Sequence, residues 1–160
     1  MTYSIWLIPS KKDVKYLNSI IRTLAKQNSA PKFSAHITVF SGITSLGEAK
    51  SAVSLLDSGK VLAKNIGIGQ SDYLWKTLFV KIKKNANLTC IHKSLQEQLG
   101  TKYNFAPHIS LIYKKMSNTD KRKIKSQLEI KKSFYFDGVA IIRSSKDVSR
   151  WKVLYRTKLA

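Results

Sequence analysis

The chain has 160 residues, of which 43% are hydrophobic and 10% aromatic, a composition that supports a hydrophobic core and excludes a disordered protein. Its 29 Lys and Arg residues outnumber the 9 Asp and Glu residues and give a net charge of +20, which favours phosphate-bearing partners such as nucleotides and RNA. The single cysteine, Cys90, excludes an internal disulfide. Neither a membrane-spanning run nor a secretory signal is recognisable, so we expect a cytoplasmic protein without a membrane partner.

Hydrophobic periodicity predicts strands and helices along the whole chain. The predicted elements are, in order, a strand at 3–9, a helix at 10–28, a strand at 36–40, a helix at 45–59, two strands within 60–85 joined by a turn at 69–75, a helix at 88–100, a strand at 107–113, a helix at 117–131, and strands at 133–145 and 151–159. Because this order contains no Gly-rich turn between strand and helix, we expect an α+β fold.

Several residues carry signals for the ends and faces of these helices. Ser10 is predicted to cap the first helix, with Asp13 three residues later in the capping-box position. Gly100 is expected to end the helix at 88–100 in the left-handed conformation. In the lysine-rich helix at 117–131, Ile124 and Leu128 are expected to form the buried face.

Two of the predicted strands carry a histidine followed two positions later by a hydroxyl residue, His36 with Thr38 and His108 with Ser110. Residues two apart on a strand point to the same face, so each pair shares a surface. Both strands follow a proline and occupy corresponding places in the two halves of the chain. We therefore expect a single domain at 1–160 made of two pseudo-symmetric lobes, with antiparallel-rich sheets facing a central cleft and helices outside.

The third histidine, His92, also precedes a hydroxyl residue, Ser94, but lies in a predicted helix. Two helical positions differ by about 200° of rotation, so these side chains should point in nearly opposite directions. We expect His92 to be a structural residue, which makes it an internal control for the other two.

Two imidazoles on opposite sides of a phosphorus atom are suited to hydrolysing a cyclic phosphodiester. One takes a proton from water, and the other gives a proton to the departing ribose oxygen. Imidazole titrates near neutral pH, so His36 and His108 are predicted to be catalytic without a metal or another cofactor. Thr38 and Ser110 are predicted to bind the non-bridging phosphate oxygens through their hydroxyl groups.

Three segments of the sequence resemble the cyclic phosphodiesterase-like branch of the two-histidine phosphoesterase superfamily: SIWLIP at 4–9, HITVFSGI at 36–43 and PHISLIY at 107–113. The resemblance implies a bilobal fold whose cleft is lined by the two His-x-Thr/Ser motifs. It also implies metal-independent hydrolysis of nucleoside 2′,3′-cyclic phosphate or ADP-ribose 1″,2″-cyclic phosphate, leaving a 2′-phosphate or a 1″-phosphate. Such an enzyme would act in RNA metabolism, on by-products of tRNA splicing.

The same resemblance implies further substrate contacts. Tyr113 should reach the phosphate, although a regular strand would turn it away from His108, so a bend is needed near the end of that strand. Tyr73, Trp75 and Thr77 occupy the segment that contacts the substrate base in the family, whereas Trp75 also suits ordinary packing. Trp6 is expected to be either a core residue or a platform for the base.

Two other functions remain open at this stage. The same catalytic groups suit an RNA end, a 2′-5′ linkage or a cyclic oligonucleotide messenger, which the high charge favours if the lysines at 114–125 flank the cleft. Alternatively, the chain is a non-enzymatic RNA-binding module whose histidines only contact phosphate. In either case we expect a monomer whose main partner is a nucleotide-like small molecule.

Overall fold

A computed structural model describes residues 1–159, and within that range it contains seven strands, four α-helices and two short 3₁₀ turns. The elements are β1 (Tyr3–Pro9), α1 (Lys11–Asn28), β2 (Ile37–Ile43), α2 (Leu46–Ser54), β3 (Val61–Gln70), β4 (Leu78–Ile82), α3 (Ala86–Leu99), β5 (His108–Ile112), α4 (Asn118–Gln127), β6 (Ser133–Arg143) and β7 (Lys152–Lys158). The predicted α+β class and the predicted order of elements are confirmed. Among these helices none is long and apolar enough to cross a membrane.

The strands pair in the order β2-β1-β6-β3-β4-β5, with β7 also paired to β6, and each pairing in the described range is antiparallel. One edge of β6 is shared by two partners: residues 133–136 pair with β3, and residues 138–143 pair with β7. Beyond Lys64, β3 leaves β6 and pairs with β4 instead. The sheet therefore divides within β3 into two parts, and residues of both parts line one cleft between them, as predicted.

The first strand is buried on both faces, which explains its almost continuous apolar sequence. Ile5 and Leu7 are fully buried in the main core, which also includes the apolar face of α1. Trp6 and Ile8 point to the opposite face and form a smaller cluster with Trp151. This second face borders the cleft, so β1 supports both the core and the candidate site.

The predicted capping box of α1 is wrong. Ser10 makes no capping hydrogen bond through its side chain. Asp13 is instead buried, accepts a hydrogen bond of 2.7 Å from the Tyr135 backbone N–H and forms an ion pair with Lys131. The carboxylate therefore ties the start of α1 to the start of β6, because buried carboxylates need donors of this kind.

The predicted buried face of α4 is confirmed only in part. Ile124 and Leu128 pack against the core but are half-buried, and Leu128 lies just beyond the helix. The fully buried side chain of α4 is Lys121. Its ammonium group donates to the Ser71 carbonyl at 2.9 Å and to the Asp72 carboxylate at 3.0 Å. A lysine stem is long and apolar enough to lie within the protein while its charged end reaches such acceptors.

The remaining helix boundaries follow recognisable cap chemistry. The helix predicted at 45–59 is shorter than expected; Ser45 caps its start by accepting from the Glu48 backbone N–H at 3.2 Å. The end of α3 is as predicted, since Gly100 has a positive φ of 68° that favours glycine.

Candidate active site

A cavity of about 280 Å³ lies in the cleft between the two parts of the sheet. Most of the predicted site residues line it, namely Trp6, His36, Thr38, Tyr73, Trp75, His108, Ser110 and Tyr113. The two motifs, which are distant in sequence, are thus brought to one cavity. They come from different parts of the sheet, since His36 precedes β2 and His108 begins β5.

The two histidines are held in the same way. The Nδ1 atom of His36 bonds the Ser34 carbonyl at 2.7 Å, and the Nδ1 atom of His108 bonds the Ala106 carbonyl at 2.8 Å. In each case the acceptor lies two residues before the histidine. Because a carbonyl only accepts, Nδ1 must carry the proton, and the lone pair of each neutral ring is on Nε2. Each imidazole therefore has a basic nitrogen that is not used by this bond.

His36 is deeply packed. Its ring stacks on Trp6 with a centroid distance of 3.4 Å and an interplanar angle of 7°, and only 6% of the residue is exposed. Burial lowers the pKa of His36 from its ordinary 6.5 to about 3; the bond to Ser34 partly opposes this shift, and the nearby His108 adds to it. The imidazole is consequently neutral at pH 7 and able to accept a proton.

His108 is less buried and has more charged surroundings. Its ring meets the edge of Phe79 at a centroid distance of 5.5 Å. Burial lowers its pKa, the bond to the Ala106 carbonyl opposes the shift, and the positive charge of Lys76 lowers the pKa further. An anion bound between the two rings would raise the pKa of His108 again, because negative charge favours the imidazolium form.

The two hydroxyl groups of the motifs differ in their bonding. The Thr38 side chain has no hydrogen-bond partner within residues 1–159, so its hydroxyl group is free to donate to a ligand. The Ser110 hydroxyl instead donates to the Trp75 carbonyl at 3.0 Å. Ser110 thereby also positions the segment between β3 and β4, and it must rotate before it can donate to a phosphate oxygen.

Tyr113 reaches the cavity because the strand ends before it. The last residue of β5 is Ile112, so Tyr113 is released from strand alternation and lines the same cavity as His108. Its ring packs against Phe33 at a centroid distance of 4.1 Å. Burial raises the pKa of Tyr113, and the neighbouring Ser110 hydroxyl moderates the rise, so the phenol stays protonated and able to donate.

Aromatic rings form one wall of the cavity. Trp151, from the loop before β7, lies 5.4 Å from Trp6 and 5.6 Å from both Trp75 and Tyr113, measured between ring centroids. Its indole N–H donates to the Ser145 carbonyl at 2.8 Å. Tyr73 lies at the rim and is 62% exposed. Such flat surfaces are suited to stacking with a nucleobase.

The fold and part of the sequence match known proteins. A family model described as cyclic phosphodiesterase-like protein matches residues 1–73, which include the first motif. E. coli LigT complexed with 3′-AMP has a TM-score of 0.64 and 14% identity, covering 98% of this chain and 97% of its own. TT0787 of Thermus thermophilus has a TM-score of 0.66 and 15% identity, covering 99% of this chain and 98% of its own. Both belong to the two-histidine phosphoesterase superfamily.

This chain has the fold of the two-histidine phosphoesterases. The resemblance found in the sequence is thereby confirmed at the level of fold, and the family model supports it over the first motif. No curated protein sequence matches the chain significantly.

One predicted substrate contact lies elsewhere. Thr77 does not line the cavity and is only 2% exposed. Its hydroxyl donates to the Leu74 carbonyl at 2.7 Å and accepts from the Lys114 backbone N–H at 3.4 Å. Thr77 therefore stabilises the wall behind the cavity and does not face it.

His92 lies outside the cavity, in keeping with its predicted structural character. Its ring stacks on Phe105 with a centroid distance of 5.0 Å and an interplanar angle of 17°, and its Nδ1 bonds the Val39 carbonyl at 3.1 Å. It packs α3 against β2 and contributes nothing to the cavity surface.

Sequence reasoning missed six residues that line the cavity: Ser4, Ser41, Lys76, Tyr103, Ser144 and Trp151. Strand periodicity was available for Ser4, which lies two positions before Trp6 on β1 and so shares its face. Ser144 and Trp151 were placed at the ends of the strands predicted at 133–145 and 151–159, but both lie in the loop between β6 and β7. No local pattern indicates that this loop reaches the cavity.

The described residues, 1–159, contain no group of three or more His, Cys, Asp or Glu side chains that could hold a metal ion. Metal independence itself stays a prediction, for which a chelator is the test.

Proposed function

We propose that this chain is a hydrolase of cyclic phosphodiesters, acting on nucleoside 2′,3′-cyclic phosphate or ADP-ribose 1″,2″-cyclic phosphate. The observation that carries the proposal is the matched arrangement of His36 and His108 around one cavity. Each imidazole is oriented by a carbonyl two residues earlier, which leaves two basic nitrogens for one substrate. Paired acid and base groups of this kind are what in-line opening of a cyclic phosphate requires.

In the proposed reaction on a 2′,3′-cyclic phosphate, the Nε2 atom of one neutral imidazole removes a proton from water. The water oxygen forms a bond to phosphorus on one side while the P–O3′ bond breaks on the other. The second imidazole, protonated on Nε2, gives that proton to the departing O3′ atom. The products are a 2′-phosphate and a free 3′-hydroxyl group, and the two histidines have exchanged protonation states.

Hydrogen-bond donors near the histidines support this assignment. Thr38 has an unused hydroxyl, and Tyr113 keeps its phenolic proton, so both are able to bind the negative oxygens of the phosphate. Ser110 becomes a third donor if its hydroxyl rotates away from Trp75. Donors fixed before the substrate arrives stabilise developing charge more effectively than water does.

The aromatic wall and the solved complexes of a fold relative favour a nucleotide-like substrate. Trp75 and Trp151 offer ring faces on the cavity surface. E. coli LigT has been crystallised in complex with 3′-AMP, with ATP and with NADP+. We infer that the cavity of this chain also accepts a nucleoside unit, with the base against the aromatic wall.

The test is a turnover panel of 2′,3′-cyclic mononucleotides, ADP-ribose 1″,2″-cyclic phosphate, RNA with a cyclic phosphate end and cyclic oligonucleotides, in which the phosphate position of each product is read. His36→Ala and His108→Ala should each lower turnover by about a hundredfold or more, the usual contribution of one acid or base. His92→Ala is the matched control and should keep turnover near the wild-type rate. Equal damage from all three substitutions would contradict the proposal.

A second candidate keeps the same chemistry but uses a longer substrate, such as an RNA end, a 2′-5′ linkage or a cyclic oligonucleotide. The net charge of +20 and the position of Lys76 on the cavity surface favour it. Two of the lysines expected to contact such a substrate are otherwise engaged, since Lys121 is buried and Lys114 donates to the Asn28 carbonyl. Steep salt dependence of binding without any turnover would instead support a non-enzymatic RNA-binding module.

A further inference from the structure

Three serine hydroxyls lie together on the cavity surface beside the stacked Trp6–His36 pair. Ser4 Oγ is 2.9 Å from Ser41 Oγ and 2.7 Å from Ser144 Oγ. Three hydroxyl protons are present, but the two bonds within the cluster use only two of them. Within residues 1–159 the third proton has no acceptor, so the cluster has a donor available for a ligand.

Two arginines lie next to this cluster. Arg143 and Arg150 line a second cavity of about 430 Å³, which shares Ser144 with the first. Arg143 is half-buried and forms no ion pair in the described part of the chain. The two cavities therefore meet at Ser144, with the serine hydroxyls lining the first and the two guanidinium groups lining the second.

In the described part of the chain the Arg150 side chain is engaged only in a long, exposed ion pair with Asp147. Asp147 Oδ2 lies 3.8 Å from Arg150 Nε, while its other oxygen, Oδ1, accepts hydrogen bonds from the backbone N–H and the hydroxyl of Ser149. Arg150 is 80% exposed, and exposed ion pairs of this kind contribute little. A phosphate group offers a guanidinium a stronger, two-bonded partner.

The serine cluster lies close to the histidines along β1. Ser4 precedes Trp6 by two strand residues, a spacing of about 6.7 Å between their Cα atoms, and Trp6 is stacked directly on His36. Both Ser4 and the two histidines line the same cavity. Neighbouring phosphate groups of a nucleotide chain are separated by a length comparable to that spacing, so the cluster lies in the range of a second phosphate group of the same substrate.

We propose that the serine cluster, Arg143 and Arg150 form a second phosphate-binding subsite, which holds a second phosphate group of the substrate. This inference rests on the proposed function and narrows its substrate class to nucleotides that carry at least two phosphate groups. The second group is a 5′-phosphate, an internucleotide phosphate or a pyrophosphate, since all three present the same anionic oxygens. The subsite also gives part of the high positive charge a specific use.

The test compares four substrates: a 2′,3′-cyclic mononucleotide, the same compound with a 5′-phosphate, a dinucleotide with a 2′,3′-cyclic end, and ADP-ribose 1″,2″-cyclic phosphate. Arg143→Gln, Arg150→Gln and the double variant should lower kcat/KM about tenfold or more for substrates with a second phosphate, the usual loss for a charged hydrogen bond. They should leave kcat/KM for the 2′,3′-cyclic mononucleotide without a 5′-phosphate within about twofold of the wild-type value. The preferred member of the panel identifies the source of the second phosphate.

Lys64→Gln is the matched control, because Lys64 lines a separate lysine-rich cavity and its substitution removes the same charge. If Lys64→Gln lowers kcat/KM for these substrates as much as the arginine variants do, the loss reflects the total charge of the protein, and the subsite is rejected. If the arginine variants change all substrates equally, or none, the inference is overturned while the proposed function stands.

A binding measurement separates the subsite from the chemistry. Wild-type protein should bind adenosine 2′,5′-bisphosphate about tenfold more tightly than adenosine 2′-monophosphate by isothermal titration calorimetry, and the double arginine variant should lose this difference. Equal affinities in the wild type, or a difference that survives in the double variant, would overturn the subsite even if no substrate were turned over. If the wild type shows the expected binding pattern but turns over none of the substrates, only the proposed function is rejected.

Discussion

The burial of His36 predicts a specific sensitivity of the folded protein to acid. The pKa of this imidazole is about 3 in the folded protein and about 6.5 when unfolded, so the unfolded chain takes up a proton over a pH range in which the native protein does not. Stability from this residue is fully present above pH 6.5 and is lost as the pH falls towards 3. Between pH 7.5 and pH 5 the loss amounts to about 2 kcal/mol.

The assay is urea denaturation at these two pH values for the wild type and for His36→Gln, whose amide can still donate to Ser34 but does not titrate. All other titratable groups are shared, so the wild type should lose about 2 kcal/mol more than the variant on going to pH 5. In thermal denaturation this corresponds to a Tm difference of about 4–8 °C for a protein of this size. An equal loss in both proteins would refute the inferred burial of the imidazole against Trp6.

Three further outcomes are expected. The pH profile of kcat/KM should be bell-shaped with its optimum below pH 6.5, because the pKa values of both His36 and His108 are lowered in the free protein. The optimum of kcat should lie at higher pH, because bound phosphate raises the pKa of the histidines in the complex. Coincident optima would contradict this effect of bound phosphate. Turnover should survive EDTA, and a loss restored by a divalent cation would reject the metal-independent reaction. Lys121→Met should lower the free energy of unfolding in urea by about 1–3 kcal/mol, because the Ser71 carbonyl loses its donor. Its control, Lys125→Met, lies on the exposed face of α4 and should change that free energy little.

The parts of the site that were predicted from sequence are those with a local pattern. A period of two along a strand is sufficient to place His36 with Thr38 and His108 with Ser110. Strand alternation alone would place Tyr113 on the face opposite His108. Its side chain reaches the cavity because β5 ends one residue earlier, at Ile112. Local periodicity therefore defined the faces of the strands, and the tertiary structure brought two such faces together.

The parts that were missed or wrong depend on partners far away in the chain. Local patterns predict a capping-box position for Asp13 and give no sign that Lys121 is buried, because the partners of these side chains lie 118 and 49 residues away. Trp151 was included in the strand predicted at 151–159 but lies in the loop before β7, so its contribution to the aromatic wall becomes visible only in three dimensions. Thr77 was assigned by resemblance alone, and the turn before β4 directs it behind the cavity.

The shared edge of β6 has a consequence for the order in which this protein is built. The part of the sheet next to His36 combines β1 and β2 from the beginning of the chain with β6 and β7 from its end, whereas β4 and β5 come entirely from the middle. During synthesis β3, β4 and β5 therefore emerge while β1 is paired only with β2 and still lacks β6. Folding of the His36 side has to wait for β6 and β7, and without them one edge of the apolar β1 would stay unpaired and prone to aggregation.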